Sequence, residues 1–323
     1  MELDVLMPFH RNDSYLRLAV DSLASSEKIN FRLIAIDDRM DQSVDVSDLF
    51  HGIKNLELIK TSGGNGYGNA LKTGTQFIQS DACALMNSDD LVNSQRFFRQ
   101  LNSLNQVDLS ITKMQKINEK NKPIPNLTGN ILSAKYDPIL LLFGSYGADA
   151  SWCMRTSWWK EHSFFDGGEC LDWRIGLKVF SNTRINMIND ALYFYRKHDR
   201  QVTSSKNTSP ENMDIVFEAW KILAKQYEFN DNTRSIFDFI ATPWRSNISA
   251  KFYEVTKWTD QIKKLGSKID PEILTNIKFL IDRRKLFGLK SGQNSTLDRL
   301  QFGASGIIAA PKLIADLFSI ARS

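Results

Sequence analysis

The sequence predicts an α/β fold, in which an open and mostly parallel sheet is flanked by helices and followed by a mainly helical C-terminal region. Short apolar runs alternate with amphipathic stretches over roughly the first 110 residues, which is the pattern of strand–helix–strand units. A polar or glycine-rich cluster follows each of the first four predicted strands. After a Ser/Asn/Thr/Pro-rich stretch at 204–210, the apolar residues take a helical period.

The predicted strands are short apolar runs, and the predicted helices lie between them. The four strands span residues 5–7, 31–36, 56–59 and 82–86, and helices are expected over 13–25, over 69–78 and from about residue 91 onward. Asp13 or Asn12 is the expected N-cap of the first helix. The helical face of the C-terminal region is formed by Met213, Val216, Phe217, Trp220, Leu223 and Tyr227. We therefore expect two domains, 1–205 and 211–323.

Composition and charge argue against several classes of protein. The net charge of +4 is carried by dispersed Lys and Arg residues, which argues against a nucleic-acid partner but suits an anionic small substrate or an acidic membrane surface. The three cysteines form no CxxC pair, so we expect neither a disulfide framework nor a structural zinc. No apolar stretch reaches the roughly 20 residues of a membrane span, and the acidic N-terminus leads directly into a strand. We expect a cytoplasmic protein, bound at most to the inner face of the plasma membrane.

The polar cluster Asn87-Ser88-Asp89-Asp90 follows the fourth predicted strand. Ligands of open α/β sheets bind at the carboxyl ends of the strands, and a carboxylate there is a usual partner for Mg²⁺ or Mn²⁺ together with substrate phosphate. The alternative is that one of the two aspartates only caps the next helix. Both hypotheses hold together if Asp90 caps the helix while Asp89 faces the cleft.

Two further clusters lie at the same predicted rim. Asp37 and Asp38 end the second strand, where an acid can accept hydrogen bonds from a nucleobase or ribose, or alternatively form a turn. The run from 63 to 74, GGNGYGNALKTG, joins the third strand to a helix. Its glycines allow close approach to a ligand, the helix offers free N–H groups to phosphate, and Lys72 is a candidate phosphate partner. Its place after the third strand argues against a dinucleotide-binding fingerprint.

Read together, four segments resemble glycosyltransferase family 2, the inverting enzymes with the Rossmann-like GT-A fold. The segments are 5–10, 34–38, 65–74 and 87–90, and their order and separations match the family over roughly residues 1–205. No segment is decisive alone, but the four in sequence are fairly specific.

The resemblance implies a nucleotide-sugar site along this rim. Its members would be Pro8, Phe9, His10, Asp37, Asp38, Asn65, Gly66, Lys72, Asn87, Ser88 and Asp89. Asp38, together with Asp37, would contact the base, and Asp89 would bind Mg²⁺ or Mn²⁺. The first acid of the family's Asp-x-Asp motif is Asn87 here, and its amide can still hydrogen-bond ribose, while the acid nearest the phosphates, Asp89, remains.

The segment from 167 to 178, GGECLDWRIGLK, resembles the helix that carries the family's catalytic base, with Leu171 in place of the family's Glu. Asp172 would take the proton of the acceptor hydroxyl as its oxygen attacks the anomeric carbon, which requires a carboxylate within hydrogen-bond reach. The alternative is that Asp172 only favours the dipole of its helix from the first turn.

The segment from 195 to 201 resembles the family's Tyr-Arg-x-His sequence. In some relatives this histidine joins the metal or the diphosphate, so His198 is a candidate metal ligand beside Asp89, with a structural role as the alternative. Arg196 and Lys197 are expected to offset the negative charge of the departing diphosphate.

Aromatic and apolar residues suggest where the acceptor binds. Trp152 and Trp173 are candidates for the acceptor side, since aromatic faces stack on sugars, although core packing is the commoner use of tryptophan. The apolar segment 306–320 is either a membrane-surface helix or a helix that packs on the protein or forms a dimer contact.

These features predict a hexosyltransferase-type glycosyltransferase. It would move a sugar from a nucleoside diphosphate, with UDP favoured, to a saccharide or lipid-linked acceptor hydroxyl with inversion. By analogy, the expected setting is cell-surface polysaccharide or glycoconjugate biosynthesis. Two alternatives are a sugar nucleotidyltransferase, whose glycine-rich loop normally follows the first strand, and a catalytically silent nucleotide-sugar-binding protein, given Asn87 and Leu171.

Overall fold

The computed structural model describes residues 1–11, 13–124, 136–163, 170–201, 210–230, 232–241, 252–265 and 268–288. The chain divides into two compact units, residues 1–134 with 146–212 and residues 135–145 with 213–323. The expected domains, 1–205 and 211–323, stay a prediction, because residues 202–209 lie outside the described residues. Nothing in the sequence pattern indicated that 135–145 groups with the second unit.

The first unit contains one eight-stranded sheet in the order β3-β2-β1-β4-β7-β6-β8-β5. The strands are β1 (Leu3–Phe9), β2 (Arg32–Asp37), β3 (Leu56–Lys60), β4 (Ala82–Leu85), β5 (Leu91–Val92), β6 (Leu109–Ile117), β7 (Trp152–Arg155) and β8 (Ile185–Arg196). Strands β1 to β4 are mutually parallel, and so are β6 and β8, whereas β7 runs antiparallel to β4 and β6, and β5 antiparallel to β8. The predicted mostly parallel sheet is confirmed.

The described helices of the first unit connect these strands. They are α1 (Ser14–Ala24), α2 (Tyr67–Thr75), α3 (Arg96–Ser103), α4 (Thr156–His162) and α5 (Leu171–Val179). The Asp13 carboxylate accepts hydrogen bonds from the backbone N–H groups of Tyr15 (3.0 Å) and Leu16 (3.4 Å), which confirms Asp13 as the N-cap of α1.

The core forms because the central strands are apolar on both faces, as covered parallel sheets require. Every residue of β1 is buried, and α1 packs its apolar face, with Leu16, Ala19, Val20 and Leu23, into the same cluster. Each fully buried large aliphatic side chain contributes roughly 1.5–3 kcal/mol. This packing fixes the strand ends that carry the polar clusters.

The helix expected from residue 91 is wrong. Leu91 and Val92 form the edge strand β5, which pairs with Phe194 and Tyr193 of β8, and α3 begins only at Arg96. Asp90 therefore caps no helix, and the capping alternative for this aspartate is also wrong.

Strand β8 contains an irregularity opposite β6. Thr112 pairs with Ile188, but Lys113 pairs with Ala191 and Met114 with Tyr193, so β8 has extra residues at two adjacent steps. The interruption includes the exposed residues Asn189 and Asp190. Beyond it the register is regular to the pair of Ile117 and Arg196. A bulge of this kind bends the strand and changes the direction in which its following side chains point.

The second unit is helical, as predicted. Its helices are α6 (Pro210–Gln226), α7 (Arg234–Ala241), α8 (Phe252–Leu265) and α9 (Pro271–Gly288). Trp220 stacks on Trp258 at 6.1 Å and donates a hydrogen bond from Nε1 to the Leu142 carbonyl at 3.0 Å. Of the predicted helical face, Met213, Val216, Trp220 and Leu223 are buried. The segment 306–320 lies outside the described residues, and no helix within them is long and apolar enough to cross a bilayer.

Candidate active site

The polar clusters of β1, β2 and β4 meet at one rim of the sheet. Parallel strands place their carboxyl ends on the same edge. Partial burial lowers the pKa of His10, the residue after β1, and so does Arg11, while Asp89, Asp13 and Asp38 raise it. His10 therefore lies within electrostatic reach of both Asp38 and Asp89. Pro8 and Phe9 are buried, so His10 is the exposed one of these three predicted nucleotide contacts.

Asp37 belongs to the interior rather than to the rim. Its side chain is fully buried, and its two carboxylate oxygens accept hydrogen bonds from Nε (2.8 Å) and Nη2 (2.7 Å) of Arg39. The expectation that Asp37 helps to contact the base is corrected, because the guanidinium two residues later occupies both oxygens.

Asp38 ties the end of β2 to the glycine-rich loop. Its Oδ1 accepts hydrogen bonds from the Thr61 hydroxyl (2.5 Å) and the Asn65 N–H (3.1 Å), and its Oδ2 accepts one from the Gly66 N–H (2.9 Å). Only 4% of the residue is exposed. This geometry makes Asp38 an anchor of the loop, and its contact with a nucleobase stays a prediction.

The glycine-rich loop exposes backbone to the rim just before α2. Gly66 has φ +82°, and a Cβ there would meet nothing within 4 Å, so the conformation rather than crowding requires glycine. The Asn65 side chain is exposed and hydrogen-bonds Ser62. Lys72 is exposed in the last turn of α2, at the opposite end from Gly66, and its contact with a phosphate stays a prediction.

Asp89 and His198 form a close pair across the rim. His198 Nε2 lies 3.0 Å from Asp89 Oδ2, and its Nδ1 accepts a hydrogen bond from the Arg200 N–H at 3.2 Å. Because this bond occupies Nδ1, Nε2 is the nitrogen that faces Asp89, and it can bind a metal ion once it carries no proton. The Asp89 side chain is 31% exposed and that of His198 is 4% exposed, so the carboxylate is the accessible member of the pair.

The donor chemistry of this pair fits a divalent cation held jointly with a substrate. A carboxylate and an imidazole are adjacent, and no group of three or more His, Cys, Asp or Glu side chains suited to a metal occurs among the described residues. Such a partial set leaves coordination positions for phosphate oxygens, the arrangement that Mg²⁺ and Mn²⁺ commonly take at nucleotide sites. An imidazole ligand favours Mn²⁺ over the harder Mg²⁺.

Asp90 is a fully buried carboxyl group behind this pair. It accepts hydrogen bonds from the Tyr193 hydroxyl (2.5 Å), the Arg196 N–H (2.7 Å) and the Asn87 side-chain amide (2.9 Å). Burial, and after it the Asp89 charge, raises its pKa to about 7. Asn87 thus holds Asp90, and Ser88, the next residue in the sequence, is half-buried.

Tyr15, which the sequence pattern did not single out, supports the Asp89–His198 pair from α1. Its ring lies 4.9 Å from the His198 ring and 4.6 Å from the Arg196 guanidinium. The sequence placed Tyr15 in the first turn of a predicted amphipathic helix, and this position indicated only core packing.

Asp172 is half-buried in the first turn of α5, where its Oδ1 accepts a hydrogen bond from the Trp173 N–H at 2.8 Å. It lies near Tyr67, the first residue of α2. Burial raises the pKa of Tyr67 well above its ordinary value, and the charges of Asp149, Asp172 and Asp90 add to the rise. The charges of Asp172 and Asp90 thus both act on the Tyr67 phenol.

Asp149 is a further acid that the sequence reasoning missed. Burial, and then the Asp172 charge, raises its pKa to about 7. Its Oδ1 accepts a hydrogen bond from the Ala150 N–H at 2.7 Å. Its sequence context, a short segment before β7, carried no motif, and only the fold brings it near Asp172.

The two tryptophans expected on the acceptor side are core residues instead. Trp152 is 0% exposed and Trp173 is 1% exposed. Trp152 packs against Phe180 at 5.4 Å between ring centroids. The correction follows the commoner use of tryptophan, which is to fill the core.

Several known proteins are similar to this chain in sequence. The sequence model of the family described as "Glycosyl transferase family 2" matches residues 4–160. An uncharacterized glycosyltransferase of Rickettsia typhi is 21% identical over 318 residues, covering 92% of this chain and 94% of that protein. An uncharacterized glycosyltransferase of Haemophilus influenzae is 27% identical over 150 residues, covering 44% of this chain and 58% of that protein.

Solved structures of TarS from S. aureus resemble the chain in fold. The complex with UDP-GlcNAc has a TM-score of 0.56 at 17% identity, covering 99% of this chain and 92% of that one. The complex with UDP has a TM-score of 0.56 at 16% identity with the same coverage. With the family match over residues 4–160 and the glycosyltransferase relatives, this GT-A-like fold identifies the chain as a transferase similar to glycosyl transferase family 2.

Proposed function

We propose that the chain transfers a sugar from a UDP-sugar to an acceptor hydroxyl in a single displacement that inverts the anomeric carbon. The observation that carries this proposal is the Asp89–His198 pair at the rim of the sheet, where the partly exposed Asp89 carboxylate lies 3.0 Å from the imidazole. Asp172, half-buried in the first turn of α5, is the second carboxylate of the proposed reaction. A transferase of this kind needs one group at the leaving diphosphate and another at the incoming hydroxyl.

The reaction assigns one role to each acid group. Asp172 accepts the proton of the acceptor hydroxyl while that oxygen bonds to the anomeric carbon, and UDP departs with the electron pair of the broken C–O bond. Asp89, with His198, would hold Mn²⁺ or Mg²⁺, which supplies charge neutralisation at the diphosphate when bound. Asp38 holds the glycine-rich loop against the nucleotide.

The UDP-sugar donor is supported by the TarS complexes with UDP and UDP-GlcNAc, which share this fold. We further propose a saccharide or lipid-linked acceptor and a role in cell-surface polysaccharide or glycoconjugate assembly in the cytoplasm, with the C-terminal region as a membrane or homodimer contact. The net charge of +4 suits an anionic donor and an acidic membrane surface.

UDP release from UDP-sugars in Mn²⁺, with candidate acceptors, tests the proposal. Asp172→Asn should lower kcat on the order of 10²–10⁴-fold with UDP affinity retained, because only the proton acceptor is lost. Asp81→Asn, at an exposed aspartate just before β4, is the matched control and should behave as wild type. Nucleotide-sugar binding without turnover for any acceptor would contradict the proposed activity and favour a silent binding protein.

A further inference from the structure

The turn after β8 is fastened to the first turn of α1, and His198 takes part in the contact. Arg200 Nη1 lies 3.4 Å from Asp13 Oδ2, and the Arg200 guanidinium lies 5.4 Å from the centre of the Tyr15 ring. The other neighbour of that ring is the imidazole of His198, at 4.9 Å between ring centroids. We call Asp13, Tyr15 and Arg200 together the α1 clamp.

The Asp13 carboxylate joins the two elements because each of its oxygens has a different partner. Its Oδ1 accepts the backbone N–H groups that begin α1, and its Oδ2 faces the Arg200 guanidinium. The Arg200 side chain is 54% exposed and that of Asp13 is 24% exposed. An ion pair at such exposure adds little to the stability of a fold. The consequence of the α1 clamp therefore lies in the group that it positions.

The group that the α1 clamp positions is the His198 ring. The Arg200 backbone N–H donates a hydrogen bond to His198 Nδ1 at 3.2 Å, and the Tyr15 ring packs beside the imidazole. These two contacts leave Nε2 directed at Asp89 Oδ2, 3.0 Å away. The backbone of His198 is held separately, since its N–H donates to the Gln201 side chain at 3.4 Å. Loss of the Arg200 side chain would thus leave the turn in place and loosen the ring.

We propose that Arg200 is a positioning residue, which acts through Asp13 and Tyr15 to keep His198 against Asp89. This inference rests on the proposed function, since the Asp89–His198 pair is the proposed metal site. The charge of Arg200 is balanced by Asp13 within the protein, so its role is to hold the ring. Groups that orient a metal ligand commonly change metal affinity by roughly 10–100-fold when they are removed.

Calorimetric titration with UDP, in Mn²⁺ and in chelator, measures how much the metal tightens UDP binding without any turnover. In Arg200→Gln this tightening should shrink on the order of tenfold, while UDP affinity in chelator stays within about twofold of wild type. Asp13→Asn, which keeps the helix cap and removes the charge, should act in the same direction. The double variant should lose no more than the larger single loss, because both act through one ion pair.

Arg184→Gln is the matched control. Arg184 pairs with Asp108 at the start of the same strand, with side-chain exposures of 65% and 20% that resemble those of Arg200 and Asp13. This variant should keep the full effect of Mn²⁺ on UDP binding. Arg200→Gln and Arg184→Gln should both melt within about 4 °C of wild type, because partly exposed ion pairs contribute little to stability.

Failure of the inference can be told apart from failure of the proposed function. An unchanged effect of Mn²⁺ in Arg200→Gln would overturn the inference alone. Equal losses of UDP affinity in Mn²⁺ and in chelator would also overturn it, because Arg200 would then contact the nucleotide directly. So would a melting temperature far below that of Arg184→Gln, because the α1 clamp would then support the fold. A wild-type protein that does not bind UDP, or whose UDP binding Mn²⁺ does not tighten, would overturn the proposed function or its metal site, and this inference with it.

Discussion

The Asn87 side-chain amide donates a hydrogen bond to the buried Asp90 carboxyl group at 2.9 Å. The family's usual acid at this position would face Asp90 with a second negative charge. Because Asp90 already has its pKa raised to about 7 by burial and by Asp89, the amide suits this interior better than a carboxylate does.

Asn87→Asp should therefore destabilise the protein at pH 8, by about 2 kcal/mol, because two carboxylates would share a buried site. Asn87→Ala, which removes the donor and adds no charge, should cost about 1 kcal/mol. Urea unfolding at pH 8 and pH 5 measures both. At pH 5 the two variants should have similar free energies of unfolding, since Asp90 is then protonated. If Asn87→Asp were as stable as wild type at pH 8, the carboxylates at positions 87 and 90 would have room to separate.

Asp38→Asn should weaken UDP binding at least about tenfold, because one oxygen becomes an NH₂ group that faces the N–H donors of Asn65 or Gly66. Thr61→Val removes the hydroxyl donor without touching the predicted nucleotide contact, and it should weaken binding in the same direction. Calorimetric titration measures both affinities, and Asp41→Asn, at an exposed aspartate, is the control. If Thr61→Val bound UDP with wild-type affinity, the anchoring of the loop by Asp38 would not matter for binding, and only its direct contact with the base would remain.

The acid Asp149 should make stability depend on pH. Its pKa of about 7 in the folded protein lies above the ordinary 3.8, so the folded state keeps a proton that the unfolded state releases. The free energy of unfolding should fall as the pH rises from about 4 to about 7. In Asp149→Asn this fall should be smaller by up to about 4 kcal/mol, the equivalent of about three pKa units, measured by urea unfolding across that range. Identical pH profiles for variant and wild type would contradict the burial of this carboxyl group.

Removal of the metal should abolish transfer, and addition of Mn²⁺ should restore it. His198→Gln should raise the Mn²⁺ concentration for half-maximal activity by at least about tenfold, because glutamine can hydrogen-bond Asp89 but lacks the imidazole ligand. His51→Gln, at an exposed histidine of the same unit, is the control. Activity that is full in chelator, or Mn²⁺ dependence unchanged in His198→Gln, would exclude this pair as the metal site.

Much of the fold could be predicted because local patterns decide it. Helix α1 has both a cap and an apolar face in its sequence, and the first four strands are apolar runs that end at polar clusters. The sequence did not predict the strand at Leu91 and Val92, because two residues are too few to show an alternating pattern. They form a strand only because they pair with β8.

The site was predicted best where the motif residues follow a strand directly. Asp38 and Asp89 lie at the expected rim, whereas Asp37 turned inward because Arg39 neutralises it, which spacing does not reveal. Trp152 and Asp149 show the same limit, since burial and neighbouring charges arise from chain segments that are distant in sequence.

The number of residues in the β8 interruption determines whether the His198 side chain faces Asp89. Loss of one residue from 189–191 would invert the inward and outward sides of the strand's final segment and turn His198 away from Asp89. Insertions and deletions there should therefore be far less tolerated than substitutions, although Asn189 and Asp190 are exposed.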